Sequence, residues 1–311
     1  MPPFRDIVFQ RAPRQRLTPA VLTAALVLAG ASNAATPGSE AYYERSLMRA
    51  ADSRCHLFTL AVGSALAAAE AQARGAALRG GASNAALRSL AAQAAAKQSP
   101  LPCASKDLAV AAARVRGAFD GYSRLIRMTF PGDDVAWRAD RTLPMRTTIW
   151  RLSQPTATGA SPVIFGLAGD RGHPAQLLAV GDFGPDQTPY AAQLMVRDVS
   201  RAPEPYLQAA SVAVWARLPL TERAPPRSAV LAFTAEAREE ADKSLLPKGS
   251  TSGVAFRFPA AAAQALAGLD PREAATLVFL IQDRAGGRAR RAYVEVGDFA
   301  AGQAFLAAAS R

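Results

Sequence analysis

Cysteine and histidine are nearly absent from this 311-residue sequence, which contains two of each. Cys55 and His56 are adjacent, whereas Cys103 and His173 lie far away along the chain. A metal site needs more ligands than these positions offer. The sequence also lacks the glycine-rich phosphate loops, the G-x-S-x-G nucleophile turn, the H-E-x-x-H metal motif and the calcium-loop pattern. It therefore predicts no cofactor, no metal site and no catalytic residue.

Long apolar runs are also scarce, and beyond residue 34 none approaches the roughly 20 residues that a membrane span requires. Residues 1–34 instead have the order of a secretory signal peptide: four arginines, an apolar run over 17–31 and then small residues. Ser32 and Ala34 fit positions −3 and −1, which predicts cleavage after Ala34, with Ala31 as the second choice. A retained membrane anchor is the alternative. We expect a periplasmic or secreted protein with no transmembrane segment in the mature chain.

Lysine is rare as well, so the positive charge is carried almost entirely by arginine; the lysines are Lys97, Lys106, Lys243 and Lys248. The formal net charge is +11, and without residues 1–34 it is +8. An exported protein seldom meets nucleic acid, so we expect none as a partner. Anionic lipid headgroups or an anionic envelope polysaccharide are the more plausible counter-charges. A solvated, arginine-rich surface without a partner is the simpler interpretation.

Proline is missing between Glu40 and Arg79, where apolar residues recur every three or four positions and predict one long helix. Gly80-Gly81 is predicted to end this helix. Ser83 is a suitable N-cap for a second helix, which runs to about Lys97. A third helix is predicted from about Ser105 to Met128. The sequence thus predicts a helical domain over 35–130.

The two cysteines are predicted to meet in this helical domain. From Cys55 to Arg79 the helix extends about 36 Å, and the second helix returns about 22 Å. Extended residues through Ser99–Pro102 add about 16 Å, which brings Cys103 beside Cys55. A disulfide is then the expected state in an exported chain. His56 cannot act on the Cys55 thiol within one helix, because adjacent helical residues point about 100° apart.

The second half changes from helical to strand-like periodicity. Short runs rich in β-branched and aromatic residues alternate with proline and glycine turns, and two short helices interrupt them. The predicted strands are 147–153, 162–168, 175–180, 192–199, 211–218, 228–237, 253–258, 276–282 and 291–296, and the helices are 260–269 and one from about Asp298. The predicted fold class is therefore α+β, with a disulfide-stapled helical hairpin bundle followed by an antiparallel β-sandwich-like domain over 131–311.

The last 60 residues show a family resemblance. The order of "GVAFRF", "AAAAQALAGLDPREA", "TLVFLIQ", "RRAYVEV" and "GDFAAGQAFL" resembles the C-terminus of the invasion-associated locus B family, through Gly297, Phe299 and the spacing of apolar residues. The resemblance covers about a fifth of the chain, excludes the helical half and lacks the family's usual cysteines. It implies an envelope-associated, non-enzymatic β-sandwich protein.

Carboxylates, arginines and a tryptophan gather at the predicted junction of the two halves, in "PGDDVAWRADR" over 131–141. Such side chains suit recognition of a sugar or a peptide, and pockets often form at domain junctions. The candidate ligand patch consists of Asp133, Asp134, Trp137 and Arg138. Packing of Trp137 with local ion pairs is the structural alternative. Hydrolysis by paired carboxylates, which would also involve Asp140, would require one acid with a raised pKa.

Two other groups of ionisable residues are present. Asp170 and His173 could pair across a turn, but no nucleophile is identifiable nearby. Glu236, Glu239 and Glu240 would share one face if their segment were helical, and a solvated face is the expected role. The sequence as a whole predicts an exported binding or structural protein without enzymatic turnover, whose partner is an envelope protein or an anionic envelope polymer. The alternative is a carboxylate-dependent hydrolase acting on envelope polysaccharide.

Overall fold

The structure is a computed structural model that describes residues 38–184, 187–205, 218–283 and 286–307, except for the side chains of Ser123 and Asp283. The described residues belong to one compact unit. The predicted signal peptide and nearly all of the predicted strand 211–218 lie outside the described residues. Within the described part, no helix combines the length and the apolar character that crossing a membrane requires.

The first half is helical, as predicted, but the expected long first helix is two helices. The four helices are α1 (Ser39–Cys55), α2 (Leu60–Arg79), α3 (Asn84–Gln98) and α4 (Lys106–Ser123). His56 adopts a left-handed conformation with φ of 50°, and the Asp52 carboxylate accepts a hydrogen bond from the Phe58 N–H at 2.9 Å. Thr59 then caps α2, since its hydroxyl accepts from the Val62 N–H. Local capping therefore interrupts an apolar stripe that would otherwise continue.

The predicted turn into α3 is confirmed. Gly80 and Gly81 follow α2, and the Ser83 hydroxyl accepts a hydrogen bond from the Ala86 N–H at 3.1 Å. This bond satisfies one of the free N–H groups at the start of the helix, as expected for a serine N-cap.

The predicted end of the third helix at Met128 is wrong, because α4 ends at Ser123 and Arg127–Phe130 forms strand β1. Phe130 lies opposite Trp137 in an antiparallel pair, and both side chains are fully buried. Burying two large aromatic side chains stabilises the strand more than another helical turn would.

The disulfide between Cys55 and Cys103 is confirmed, with a Cα–Cα distance of 5.6 Å. The outward path starts at Leu60 rather than at Cys55, and α3 with the following turn still returns the chain to the end of α1. Beside the disulfide, the Arg54 guanidinium donates hydrogen bonds to the carbonyl oxygens of Ser99 and Leu101. These hydrogen bonds fix the segment that carries Cys103 against the end of α1.

The second half consists of antiparallel sheets, as predicted. The strands are β1 (Arg127–Phe130), β2 (Trp137–Asp140), β3 (Ile149–Thr158), β4 (Ser161–Gly169), β5 (Gln176–Gly181), β6 (Ala191–Arg197), β7 (Val230–Thr234), β8 (Ala237–Glu240), β9 (Val254–Phe258), β10 (Ala274–Asp283) and β11 (Gly286–Glu295). Among the described residues they form a seven-stranded sheet, β1-β2-β3-β4-β5-β9-β8, and a four-stranded sheet, β11-β10-β6-β7. The short strands β1, β2 and β8 were not expected. Since β8 holds Glu239 and Glu240, the helical interpretation of that acidic segment is wrong.

The two sheets share one hydrophobic core. Phe165 and Phe256 contribute from the seven-stranded sheet, and Leu194, Phe279 and Val294 from the four-stranded sheet. The rings of Phe256 and Phe279 meet across the sheets with centroids 5.8 Å apart. The described residues of the second half also form the α-helices α5 (Leu220–Arg223), α6 (Ala260–Gly268) and α7 (Phe299–Ala307), of which α6 and α7 agree with the predicted short helices.

Helix α2 packs against α7, so the helical half and the sheets share packing. Ala68 of α2 is fully buried within the same hydrophobic core as the strands. A Cβ atom at Gly75 would lie 2.3 Å from the Asp298 carboxylate, so glycine is required where α2 passes the start of α7. This close approach places polar residues of α2 beside the base of the β10–β11 hairpin.

Candidate functional site

Strand alternation divides the predicted ligand patch between two faces of the seven-stranded sheet. In β2, Trp137 and Ala139 are buried in the core, whereas Arg138 is exposed on the opposite face, which it shares with Asp140. Asp133 and Asp134 precede the strand, in the loop that follows β1. The four residues of the patch therefore lie in three different environments.

Trp137 closes the sandwich core. Its side chain is fully buried, with ring centroids 4.9 Å from Phe299 and 6.3 Å from Phe165. Its indole N–H donates to the carbonyl oxygens of Glu295 at 3.2 Å and Val296 at 2.9 Å. The ring has no face open to a ligand, and its N–H links β2 to the end of β11.

Asp133 and Asp134 lie against a buried carboxylate that the sequence did not reveal, that of Glu295. It accepts hydrogen bonds from three consecutive backbone N–H groups, those of Asp133 (2.5 Å), Asp134 (2.8 Å) and Val135 (2.9 Å). A Cβ atom at Gly132 would lie 2.7 Å from a Glu295 carboxylate oxygen, so glycine allows the loop to wrap around it. Glu295 is fully buried and thus fixes this loop on the sandwich.

Arg223 of α5 supplies the positive charge of this cluster. Its guanidinium is fully buried, pairs with Asp134 and lies 3.5 Å from both the Asp133 carboxylate and the Glu295 carboxylate. No sequence signal marks Arg223, which sits in a four-residue helix 89 residues beyond Asp134. We refer to Asp133, Asp134, Arg223 and Glu295 as the acidic cluster.

Further buried ion pairs surround the base of the β10–β11 hairpin. Arg79 of α2 makes two hydrogen bonds to the Asp298 carboxylate, at 2.9 and 3.1 Å. Similar two-point pairs join Arg272 to Asp270 and Arg197 to Glu273. Paired guanidiniums and carboxylates of this geometry are the form in which buried charges are tolerated. The pairs fix the relative positions of the helices and the sandwich.

Burial raises the pKa of several carboxyl groups in this region. The pKa of Asp133 rises to about 6, first because burial disfavours its charged form and second because Glu295 is also negative; Arg79 and Arg223 oppose the rise. Burial likewise raises the pKa of Asp298 and of Glu273, against the opposing effect of their arginine partners. These carboxyl groups bind protons more readily in the folded chain than in the unfolded chain.

We therefore expect the free energy of unfolding to rise as the pH falls from about 7 to about 5. Between the raised pKa of Asp133 and its ordinary value near 4, the folded state takes up a proton that the unfolded state does not. The raised pKa of Asp133 should increase the free energy of unfolding by about 1 kcal/mol over this pH range, a value reduced for solvent screening because the side chain is 20% exposed. Urea unfolding at both pH values measures it. Asp133→Asn should reduce the gain, and an equal gain in that variant would contradict the assignment to Asp133.

Arg138 lies in a groove on the outer face of β1, β2 and β3. The groove has a volume of about 430 Å³. We call it the outer groove, and it is lined by Arg127, Met128, Thr129, Arg138, Ala139, Asp140, Trp150 and Ser153. It combines two guanidiniums, one carboxylate, hydroxyls and a tryptophan. The sequence predicted a site of this chemistry here, but with Trp137 in place of Trp150.

The charges of the outer groove are only partly compensated. Arg127 pairs with Asp140 at 2.7 Å. Burial acts to raise the pKa of Asp140, but hydrogen bonds from Thr142 and Arg127 outweigh it and hold that pKa below its usual range. Arg138 is exposed and makes no ion pair with the described residues. Trp150 is half-buried, and its indole N–H donates to the Leu245 carbonyl oxygen at 3.0 Å, which fixes the ring. The groove thus offers an exposed guanidinium beside a positioned aromatic ring.

A third guanidinium lies next to these strands. Arg151 occupies the irregularity in the pairing of β3 with β4 and is only 3% exposed. Its Nε donates to the Asp140 carbonyl oxygen at 2.8 Å, and its Nη2 has no hydrogen-bond partner among the described residues. Arg127 thus pairs with the Asp140 carboxylate, Arg151 bonds its backbone carbonyl, and Arg138 lies two residues before it on the same strand, so guanidiniums outnumber carboxylates among these residues.

The remaining sequence candidates form no reactive constellation. His173 lies 3.0 Å from the Asp170 carboxylate in an exposed turn, as expected for a local pair. His56 is exposed at the end of α1. Within the described ranges, no group of three histidine, cysteine or carboxylate side chains is arranged to hold a metal ion.

Comparison of the chain with protein families, with curated proteins and with solved structures gave no match.

Proposed function

We propose that the protein is an exported envelope protein that binds an anionic envelope polymer in the outer groove, without enzymatic turnover. The observation that carries this proposal is the exposed Arg138 beside Trp150 and the Arg127–Asp140 pair, in an open groove along the sheet face. Guanidinium groups bind carboxylates and phosphates in two-point geometry, and an aromatic ring provides an apolar surface for a sugar. An open groove suits one segment of a longer chain.

The compartment is part of the same proposal. The first 34 residues have the order of a signal peptide, and the disulfide is of the kind that persists in oxidising compartments. In such a compartment nucleic acid is seldom met, and the formal net charge of +8 without residues 1–34 favours an anionic envelope polymer as the binding partner. The C-terminal resemblance to the invasion-associated locus B family agrees with this role. Of the two residues that carry the resemblance, Gly297 has φ of 46° and Phe299 is buried.

The test is binding of polygalacturonate to the purified protein, with neutral dextran as the control polymer. Arg138→Gln should weaken binding about twofold to fivefold, because an exposed charge contact contributes up to about 1 kcal/mol. The matched control is Arg114→Gln on α4, since Arg114 is also exposed and lies outside the groove. Binding should also weaken when the ionic strength is raised from about 0.01 M to about 0.15 M, because the Debye length falls from about 30 Å to about 8 Å.

Two results would count against the outer groove. Equal affinity of wild type and Arg138→Gln would show that the groove is not the site. A similar loss in Arg114→Gln would show that binding depends on overall charge and not on this arrangement.

The second candidate function is hydrolysis of an envelope polysaccharide, and one observation favours it. Asp133 has a pKa of about 6 beside the buried Glu295, and a raised acid next to a second carboxyl group is the arrangement that glycoside hydrolysis uses. Incubating the protein with polygalacturonate or peptidoglycan and assaying new reducing ends decides the matter. Turnover that disappears in Asp133→Asn would establish the hydrolase and overturn the binding-only function.

A further inference from the structure

A second and larger cavity lies where the two sheets meet, away from the outer groove. Its volume is about 870 Å³, within the range of ligand-binding cavities. We call it the end cavity, and it is lined by Thr158, Gly159, Ala160, Ser161, Pro162, Asp182, Phe183, Gly184, Gln187, Arg290 and Arg291. None of these residues belongs to the outer groove or to the acidic cluster.

Three segments build the end cavity. The first is the two-residue turn between β3 and β4, where Gly159 has φ of 61° and Thr158 pairs with Ser161. The second is the chain leaving β5, in which Phe183 is buried with its ring 4.9 Å from Phe279 of the core. The third is β11. The cavity is therefore formed by the β3–β4 turn and the chain after β5 on one sheet and by the middle of β11 on the other, with the ring of Phe183 as its aromatic wall.

Arg290 is placed in this cavity by the alternation of β11. Ala292 and Val294 belong to the hydrophobic core, so Arg290 points to the same, inner side of the sheet. It lies opposite Phe279 in the β10–β11 pairing, where the apolar core ends. A guanidinium that faces inward at the open end of a sandwich is well placed to meet a ligand entering between the sheets.

The polar groups of the end cavity are not used up by one another. Arg290 donates to the side-chain oxygen of Gln187, and Arg291 is exposed and makes no ion pair with the described residues. Asp182, the carboxylate of the lining, accepts from the Gly184 N–H at 3.3 Å. Thr158 and Ser161 are buried residues, 3% and 8% exposed, and their hydroxyls make no hydrogen bond within the described part of the chain.

We propose that the end cavity is a second binding site, for a hexuronate, a sugar that carries one carboxylate. The Arg290 guanidinium would hold the carboxylate from inside the cavity, and the exposed Arg291, on the other side of β11, would add positive charge at the rim. The hydroxyls of Thr158 and Ser161 and the carboxylate of Asp182 would bond the sugar hydroxyls. The site is independent of the outer groove, which it does not touch.

The lining also discriminates against other anions. Asp182 disfavours a doubly charged phosphate, because it places a like charge near the two arginines. Phe183 is 6% exposed, so no open aromatic ring of the lining is available for a nucleobase to stack on. A singly charged, hydroxyl-rich ligand matches two guanidiniums, one carboxylate and two hydroxyls.

The test uses galacturonate as the probe, with galactose and inorganic phosphate as comparisons, and isothermal titration calorimetry on the disulfide-intact protein. Arg290→Gln combined with Arg291→Gln should weaken galacturonate binding at least tenfold, since charged hydrogen bonds of this kind typically contribute about a tenfold factor or more. The matched control is Arg288→Gln, which removes a guanidinium from the same strand outside the lining. Thermal unfolding of each variant verifies that it is folded.

Each outcome decides the proposal. Tighter binding of galacturonate than of galactose and phosphate, lost in the double variant but retained in Arg288→Gln, supports it. Undetectable binding by the wild type, equal binding by the double variant, or equal binding of phosphate overturns it. A polygalacturonate oligomer in competition with galacturonate distinguishes the end of a polymer from the free sugar. Arg114→Gln should leave galacturonate affinity unchanged, and the Arg290/Arg291 double variant should keep the Arg138-dependent binding of polygalacturonate, so failure of the end cavity and failure of the outer groove are separable.

Discussion

Replacing Glu295 with glutamine is expected to lower the free energy of unfolding by about 4 kcal/mol. Removing one member of a buried ion pair leaves its partner charged in a low-dielectric environment, which typically costs about 3–5 kcal/mol. Here that partner is Arg223, which is fully buried and would keep only Asp133 and the half-exposed Asp134 as counter-charges. The glutamine NH₂ would also face backbone N–H groups of residues 133–135, which now donate to the carboxylate. Urea unfolding at pH 7 measures the loss.

The matched control for this prediction is Glu239→Gln on β8. Glu239 is exposed, and its carboxylate lies 3.9 Å from Arg257 on the surface. Exposed pairs contribute little, so the control should change the free energy of unfolding by less than about 1 kcal/mol. Combining Glu295→Gln with Arg223→Met should recover part of the loss, because the buried guanidinium is then absent. A loss below about 1 kcal/mol in Glu295→Gln would contradict the structural role of the acidic cluster.

Replacing both cysteines with alanine is expected to lower the free energy of unfolding by about 4 kcal/mol as well. Cys55 and Cys103 are 48 residues apart, and closing a loop of that length restricts the unfolded chain by about this amount in the chain-entropy treatment. The half-buried Cys55 packs with Met48, Leu66 and Leu108, and alanine at this position would remove a single sulfur atom from that packing, which is a small effect by comparison.

Urea unfolding of the double variant measures this effect, and the wild type with its disulfide reduced provides the control. Both samples lack the covalent link but differ in the cysteine side chains, so equal losses would assign the effect to loop closure. A reduced wild type as stable as the oxidised protein would contradict the prediction. Since the link lies between α1 and the start of α4, the helical half should be the region that loosens first.

The predicted cysteine pair is correct although one of its premises, a continuous helix through Cys55, is wrong. Two helices and a short turn cover nearly the same distance as one long helix, so the return path still ends beside Cys55. The break at His56 depends on the Asp52 carboxylate reaching the Phe58 N–H, a local hydrogen bond that apolar periodicity does not reveal. The prediction of which cysteines meet is therefore insensitive to a missed helix break, whereas the prediction of helix boundaries is not.

The ligand patch shows where sequence reasoning ends. Arg138 was predicted and lies in the outer groove, but Trp137 is one residue away and points into the core, because side chains alternate along a strand. The short strand β2 was not expected, so this alternation could not be applied. The groove's tryptophan is Trp150, which lines the same groove as Arg138 because β3 pairs with β2. The segment that holds Trp150 was predicted as a strand, but the sequence did not show that this strand pairs with β2.

Residue patterns were enough to predict the classes of local structure: helices in the first half, strands and two short helices in the second, and the disulfide partners. These follow from periodicity, turn residues and the reach of the chain, which are properties of neighbouring residues. Which charges are buried together and which remain exposed depends on how the helices and sheets pack. Glu295 meets Arg223, Arg79 meets Asp298, and Arg290 faces the open end of the sandwich. Such pairings join residues far apart in sequence, where the energy of burying a charge depends on the whole fold.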